Sequence, residues 1–159
     1  GTIRHRAAVS PAAMRASWIA LAAVAALIVA AVAFGRQPAV ALALAAPSFV
    51  LLAINLFVIG RFAAGPAGSL VLGMDRQVAK WGYLLIAIVA YAWLVLTVAN
   101  DWLPQKSAAA ALTVALSFPA GRDLIEYADD PASLAPAVRR SLAAVLIHGA
   151  VLTAALAFL

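Results

Sequence analysis

Four stretches of the chain are apolar over about the 20 residues that a helix needs to cross the hydrocarbon of a bilayer. They run from Ser17 to Phe34, Ala39 to Ile59, Trp81 to Val98 and Ser141 to Leu159. A fifth, Ser107 to Ala120, is shorter and reads as a steep, partial or mismatch-tolerant crossing. None of these runs alternates with the period of two that a strand requires, and alanine-rich runs make poor strands but good helices. The expected fold is therefore all-α: a polytopic transmembrane helical bundle of about five crossings. Residues 1–159 show neither an internal repeat nor a linker long enough to separate two domains, so a single transmembrane domain is expected.

Polar punctuation between the runs fits this layout. Ser10 followed by Pro11 is an N-cap and first-turn pair, which starts the first helix early and places Arg15 near the headgroups. Pro38 opens the second helix and Pro47 is expected to kink it. Asp75 is a cap for the third, Asn100 and Asp101 end it, and Asp130 with Pro131 announces the approach to the last. Gly65, Pro66 and Gly68 mark a turn between the second and third crossings. Trp18, Trp81 and Trp102 fall where aromatic belts sit at membrane interfaces.

Composition supports a membrane protein independently. Of 159 residues 67% are hydrophobic, 11% are charged, and mean hydropathy is +1.05, more apolar surface than a water-soluble domain of this size can hide. Alanine dominates and aromatics are only 8%, so the helices are thin enough to approach closely. With no cysteine, disulfides, thiolate metal sites and a cysteine nucleophile are excluded. Gly1 in place of methionine, and an apolar end at Leu159, give the expectation of a processed form or a piece of a longer chain.

The formal charge of +5 fits cationic loops beside anionic lipid, and nucleic acid is not an expected partner. Lysine and arginine alternate by loop. Arg4, Arg6 and Arg15 precede the first crossing and Arg36 follows it; Arg61, Arg76 and Lys80 come next, then Lys106, then Arg122, Arg139 and Arg140. Five crossings make this alternation consistent, with the N-terminus in the cytoplasm, the C-terminus outside, and a bacterial inner (cytoplasmic) membrane as the expected location.

Candidate chemistry is sparse. The two histidines are His5, in the basic tail, and His148, inside the last crossing; neither has a serine elbow or acidic orienter near it in sequence. His148 in LIHGAVL is the candidate cofactor-binding residue, through haem or quinone; hydrogen bonding to a neighbouring helix is the other reading. In RDLIEYADD, Asp123 and Glu126 share a helix face and form the candidate metal pair, able to hold Mg²⁺ when a diphosphate supplies further ligands. The competing reading is a solvated loop in which Arg122 pairs with Glu126. Arg61, Arg76, Lys80 and Arg122 are candidate contacts for a diphosphate or an anionic lipid. Asn55 is a candidate contact between helices. GPAGS lacks the spacing and the lysine of a phosphate-binding loop.

From Met74 onward, DRQVAKWGYLLIAIVAYAWLVL, LPQKSAAAALTVALSFPAGRDL and PASLAPAVRRSLAAVLIHGAVLTAALAFL follow one another in an order that resembles the last three helices of the UbiA-type intramembrane prenyltransferases. The likeness is to the branch that prenylates dihydroxynaphthoate on the way to menaquinone. VSPAAMRASWIALAAVAALIVAAVAFG resembles an earlier helix of that family. The resemblance implies transfer of a polyprenyl group to an aromatic or quinone precursor, with Mg²⁺ held by two aspartate-rich cytoplasmic motifs. This chain departs from the pattern: the stretch from Gly60 to Lys80 holds one acid, Asp75, and the crossings are fewer than the family's nine. The leading functional expectation is accordingly a non-catalytic accessory or assembly subunit of a larger membrane complex. Its expected partners are the lipid bilayer, other membrane-protein subunits and a quinone or polyprenyl lipid. A prenyltransferase and a small transporter are the alternatives.

Overall fold

The computed structural model describes residues 10–64 and 76–158, with the side chain of Arg76 outside that set. Asp75, the Gly65, Pro66 and Gly68 turn, and the tail carrying Arg4, His5 and Arg6 therefore lie outside the described residues. Among the described residues the regular structure is all helical: α1 (Pro11–Ala33), α2 (Pro38–Ala63), α3 (Arg76–Ala99), a 3₁₀ segment (Gln105–Thr113) leading into α4 (Val114–Glu126), and a 3₁₀ turn (Pro131–Leu134) leading into α5 (Ala135–Ala157). Five helices are long and apolar enough to cross a membrane, and the chain is an integral membrane protein.

Local chemistry sets the ends. Ser10 takes an extended backbone and its Oγ accepts from the Ala13 amide at 3.1 Å, while Pro11 occupies the first helical turn, where no amide partner is needed. The α3 terminus closes with Asp101 N–H on the Val98 carbonyl and Trp102 N–H on the Thr97 carbonyl. This is a Schellman-type ending in which Asp101, at φ 58°, holds the left-handed position usually given to glycine. α2 runs through Pro47 as one helix. Near that proline the Trp93 indole N–H donates to the Leu44 carbonyl at 2.8 Å, pinning α3 to α2.

The fourth crossing is longer than the apolar run from Ser107 to Ala120 suggests. Nine residues of 3₁₀ helix rise about 2 Å each and thirteen of α-helix about 1.5 Å each, so Gln105 to Glu126 covers more than the roughly 30 Å of hydrocarbon. The 3₁₀ period of three also lines up Ser107, Ala110 and Thr113, which are all buried on one face.

α5 is the hub, packing on α1, α2, α4 and the 3₁₀ segment. Its buried residues recur at spacings of three and four: Ala137, Val138, Ser141, Ala144, Val145, His148, Gly149, Leu152, Ala155 and Leu156. A Cβ at Gly149 would fall against Val24 Cγ1 of α1 and lie 2.7 Å from Phe49 Cε2 of α2, so only glycine lets three helices meet there. Facing outward are large apolar side chains at mid-helix, among them Ile19, Leu27, Leu85 and Ile88. Such a surface suits lipid rather than water. Among the described residues, charged side chains lie near helix ends or in the connections between helices. Arg15, Arg61, Lys80, Arg122, Arg139 and Arg140 stand at one end of the bundle, and Arg36, Lys106 and Asp101 at the other.

Candidate functional site

The strongest polar feature surrounds His148, which is fully buried. Its Nε2 lies 2.7 Å from Ser48 Oγ on α2, and its Nδ1 lies 3.3 Å from the Ala110 carbonyl in the 3₁₀ segment. A carbonyl only accepts, which assigns the imidazole proton to Nδ1; Nε2 is then an acceptor, and the Ser48 hydroxyl donates to it. The imidazole and the Tyr91 ring stand nearly perpendicular, with centroids 6.1 Å apart.

A second branch ends on the same carbonyl. Thr113 Oγ1 donates to the Ala110 oxygen at 2.7 Å, so toward Tyr91 it can only accept, and the Tyr91 hydroxyl donates to it at 2.8 Å. Having used its proton, the Tyr91 oxygen accepts from Ser117 Oγ at 2.7 Å. One directional network therefore joins α2, α3, the 3₁₀ segment, α4 and α5, with both branches converging on the Ala110 oxygen. Side chains can reach this carbonyl because it lies in a 3₁₀ segment, whose backbone bonds are poorer in geometry than those of an α-helix.

Toward the basic end of the bundle a smaller cluster repeats the logic. Asn55 Nδ2 donates to the Tyr83 carbonyl at 3.0 Å, and the Tyr83 hydroxyl donates to Ser141 Oγ at 2.9 Å, connecting α2, α3 and α5. Asn55 is thus the interhelical contact expected of it. Ser17, Thr97 and Thr153 turn their hydroxyls back onto carbonyls of their own helices. Two buried oxygens, Asn55 Oδ1 and Ser107 Oγ, meet no partner among the described residues.

Ligation of an iron by His148 would need a nitrogen lone pair directed at the metal, and the Nε2 pair is directed at Ser48. Five surface grooves among the described residues lie elsewhere: around Arg36, Trp102 and Leu156, beside Pro104, between α1 and α2 at Arg61, against Ala108 and Ala111, and beside Arg122. His148 lines none of these five.

The remaining candidate residues are distributed along the basic end. Asp123 accepts from Arg140 at 2.9 Å, an ion pair that ties α4 to α5. Asp123 is therefore held from α5 rather than from its own helix. Glu126 stands beside Tyr127, and its negative charge pushes the Tyr127 hydroxyl above its usual range. No group of three or more histidine, aspartate or glutamate side chains placed for a metal ion occurs among the described residues. Asp123 and Glu126 alone would leave most of an octahedral Mg²⁺ shell to phosphate and water. Arg61 lies over the Phe57 ring at 5.9 Å, Arg122 lines a shallow cleft with Leu84, Phe118 and Pro119, Lys80 is in the second turn of α3, and Arg76 is the first residue of that helix.

Ser48, Tyr83, Tyr91, Thr113, Ser117 and Ser141 were not singled out by the sequence patterns. The available signal was their polarity inside apolar runs, since hydroxyls in a crossing seek partners across helices. Comparison with protein-family models, curated proteins and solved structures finds no match to this chain.

Proposed function

We propose that this chain is a non-catalytic accessory or assembly subunit of a larger complex in a bacterial inner membrane, with its basic end toward the cytoplasm. The observation that carries the reading is the state of the His148 nitrogens. Both are engaged by neighbouring helices, and the hydroxyls around them are engaged in turn. An arrangement of this kind holds helices in register; a catalytic or transport site needs polar groups directed into a cavity. The orientation rests on the excess of arginine and lysine at one end.

Extraction of the intact protein from native membranes in a mild detergent, followed by mass determination, tests the reading. A complex containing another polypeptide at fixed stoichiometry is expected. A monodisperse monomer with no co-purifying subunit would overturn it.

A further inference from the structure

At the end of the bundle away from the basic cluster, two adjoining grooves share Ala41, Trp102 and Leu156 and form one trough. The first half, of about 320 Å³, reaches from Arg36 in the connection between α1 and α2 to Leu44 within α2. Leu44 lies six residues into α2 from Pro38, a descent of about 9 Å toward the hydrocarbon at 1.5 Å per residue. The second half, of about 310 Å³, lies beside Asp101, Pro104 and Gln105. Trp102 is 52% exposed and common to both halves, an amphipathic ring at the level where membrane interfaces favour indoles.

The two halves carry opposite charges, Arg36 in one and Asp101 in the other. Among the described residues neither has an ion-pair partner, and they do not close on each other. Asp101 Oδ1 accepts from the Gln105 amide at 2.7 Å, a neutral donor that leaves the carboxylate charge uncompensated. Lys106, the third charged side chain of this end, lines neither half. Both connections at this end are described throughout, and Leu159, outside the described residues, has no charged side chain. We propose that the trough binds one zwitterionic phospholipid with a primary ammonium, of the phosphatidylethanolamine class. Its phosphate lies on Arg36, its ammonium on Asp101, and an acyl chain runs along Val32, Val40 and Leu44. Charge complementarity of both signs selects this occupant. A guanidinium fork matches phosphate, and a primary ammonium brings three donors to a carboxylate. A choline headgroup has no such donors, and a glycerol headgroup has no cation. Binding of this kind does not depend on a partner subunit.

The test is native mass spectrometry of the full-length protein in detergent micelles carrying phosphatidylethanolamine, phosphatidylglycerol or phosphatidylcholine with the same acyl chains. The wild type is expected to retain one phosphatidylethanolamine in preference to the other two, with no displacement by free phosphoethanolamine at equal concentration. Arg36→Gln is expected to weaken retention of phosphatidylethanolamine and phosphatidylglycerol alike by about fivefold, the effect of one charge at a membrane surface. Asp101→Asn keeps a residue type that tolerates the left-handed backbone and an oxygen for Gln105. It is expected to weaken phosphatidylethanolamine by about fivefold and to leave phosphatidylglycerol no weaker than before. A carboxylate at Leu159 would belong to this end as well; an Asp101→Asn variant that still prefers phosphatidylethanolamine would assign the ammonium there and overturn the proposal. Lys106→Gln is expected to change nothing, and Ala41→Phe, which fills the trough where its halves meet, to abolish retention. Equal retention of the three lipids by the wild type would overturn the proposal, as would a preference for phosphatidylcholine, which would make Trp102 a cation–π site. So would equal losses from Lys106→Gln and Arg36→Gln, displacement by phosphoethanolamine, or an Ala41→Phe variant whose oligomeric mass changes while its lipid retention does not. Arg36 and Asp101 are both exposed, so their variants decide the matter even if Ala41→Phe fails to fold.

Discussion

Ser48 and His148, one hundred positions apart in the chain, meet in the bundle interior with 2.7 Å between Oγ and Nε2. Each is followed by a residue of the same packing joint: Phe49 after Ser48 and Gly149 after His148, with the Phe49 ring against the place where a Gly149 side chain would be. Hydrogen bonding and close packing therefore act at one point, where α2 and α5 cross with α1 alongside. A polar pair in lipid is favourable mainly because each group would otherwise lack a partner, and it sets one register for the two helices.

The glycine half of this joint predicts a strong contrast. Gly149→Ala should destabilise the protein by about 1–3 kcal/mol, since the added methyl overpacks Val24 and Phe49. Gly82→Ala, also helical but with open space where its Cβ would stand, should cause no destabilisation. Reversible unfolding in mixed micelles or bicelles measures both.

Tyr91→Phe removes the central hydroxyl of the second branch and leaves Ser117 without its acceptor. A loss of about 1 kcal/mol is expected, in the range of hydrogen bonds between membrane helices. Tyr127→Phe, at an exposed residue outside the crossings, should stay within about 0.5 kcal/mol of wild type. The same unfolding assay compares the two.

The helix count predicts which positions share a side of the membrane. Because the chain has no cysteine, single introduced cysteines report cleanly on access. Gly35→Cys and Lys106→Cys should react with an impermeant maleimide from one side, and Ser133→Cys from the other, in sealed vesicles. If Lys106→Cys and Ser133→Cys react from the same side, the Gln105–Glu126 crossing does not span.

How much of this was legible in the sequence differs by kind of interaction. The Ser10 cap, the α3 ending at Asn100 and Asp101, and four of the crossings follow from residues within a few positions of one another, which local chemistry governs. The fifth crossing was legible through its apolar run and the alternation of basic residues, but its true length was not. The run from Ser107 to Ala111 carries no mark that distinguishes 3₁₀ from α-helix; the choice is settled by its packing on α3 and α5. Likewise LIHGAVL shows that His148 needs a partner, yet nothing near it in sequence indicates Ser48 or Ala110, because those contacts arise only when helices dock. The ion pair of Asp123 with Arg140 of α5 is likewise a tertiary contact, which the helical spacing within RDLIEYADD does not indicate.

The central claim is that the buried polar side chains hold the helices together, and a double-mutant cycle on Ser48 and His148 tests it most directly. Ser48→Ala, His148→Leu and the double variant are unfolded reversibly in bicelles and their free energies compared. The structure predicts a favourable coupling of about 0.6–1.7 kcal/mol, with the double variant less destabilised than the sum of the single changes. Additivity within about 0.3 kcal/mol, or a His148→Leu variant as stable as the wild type, would contradict it.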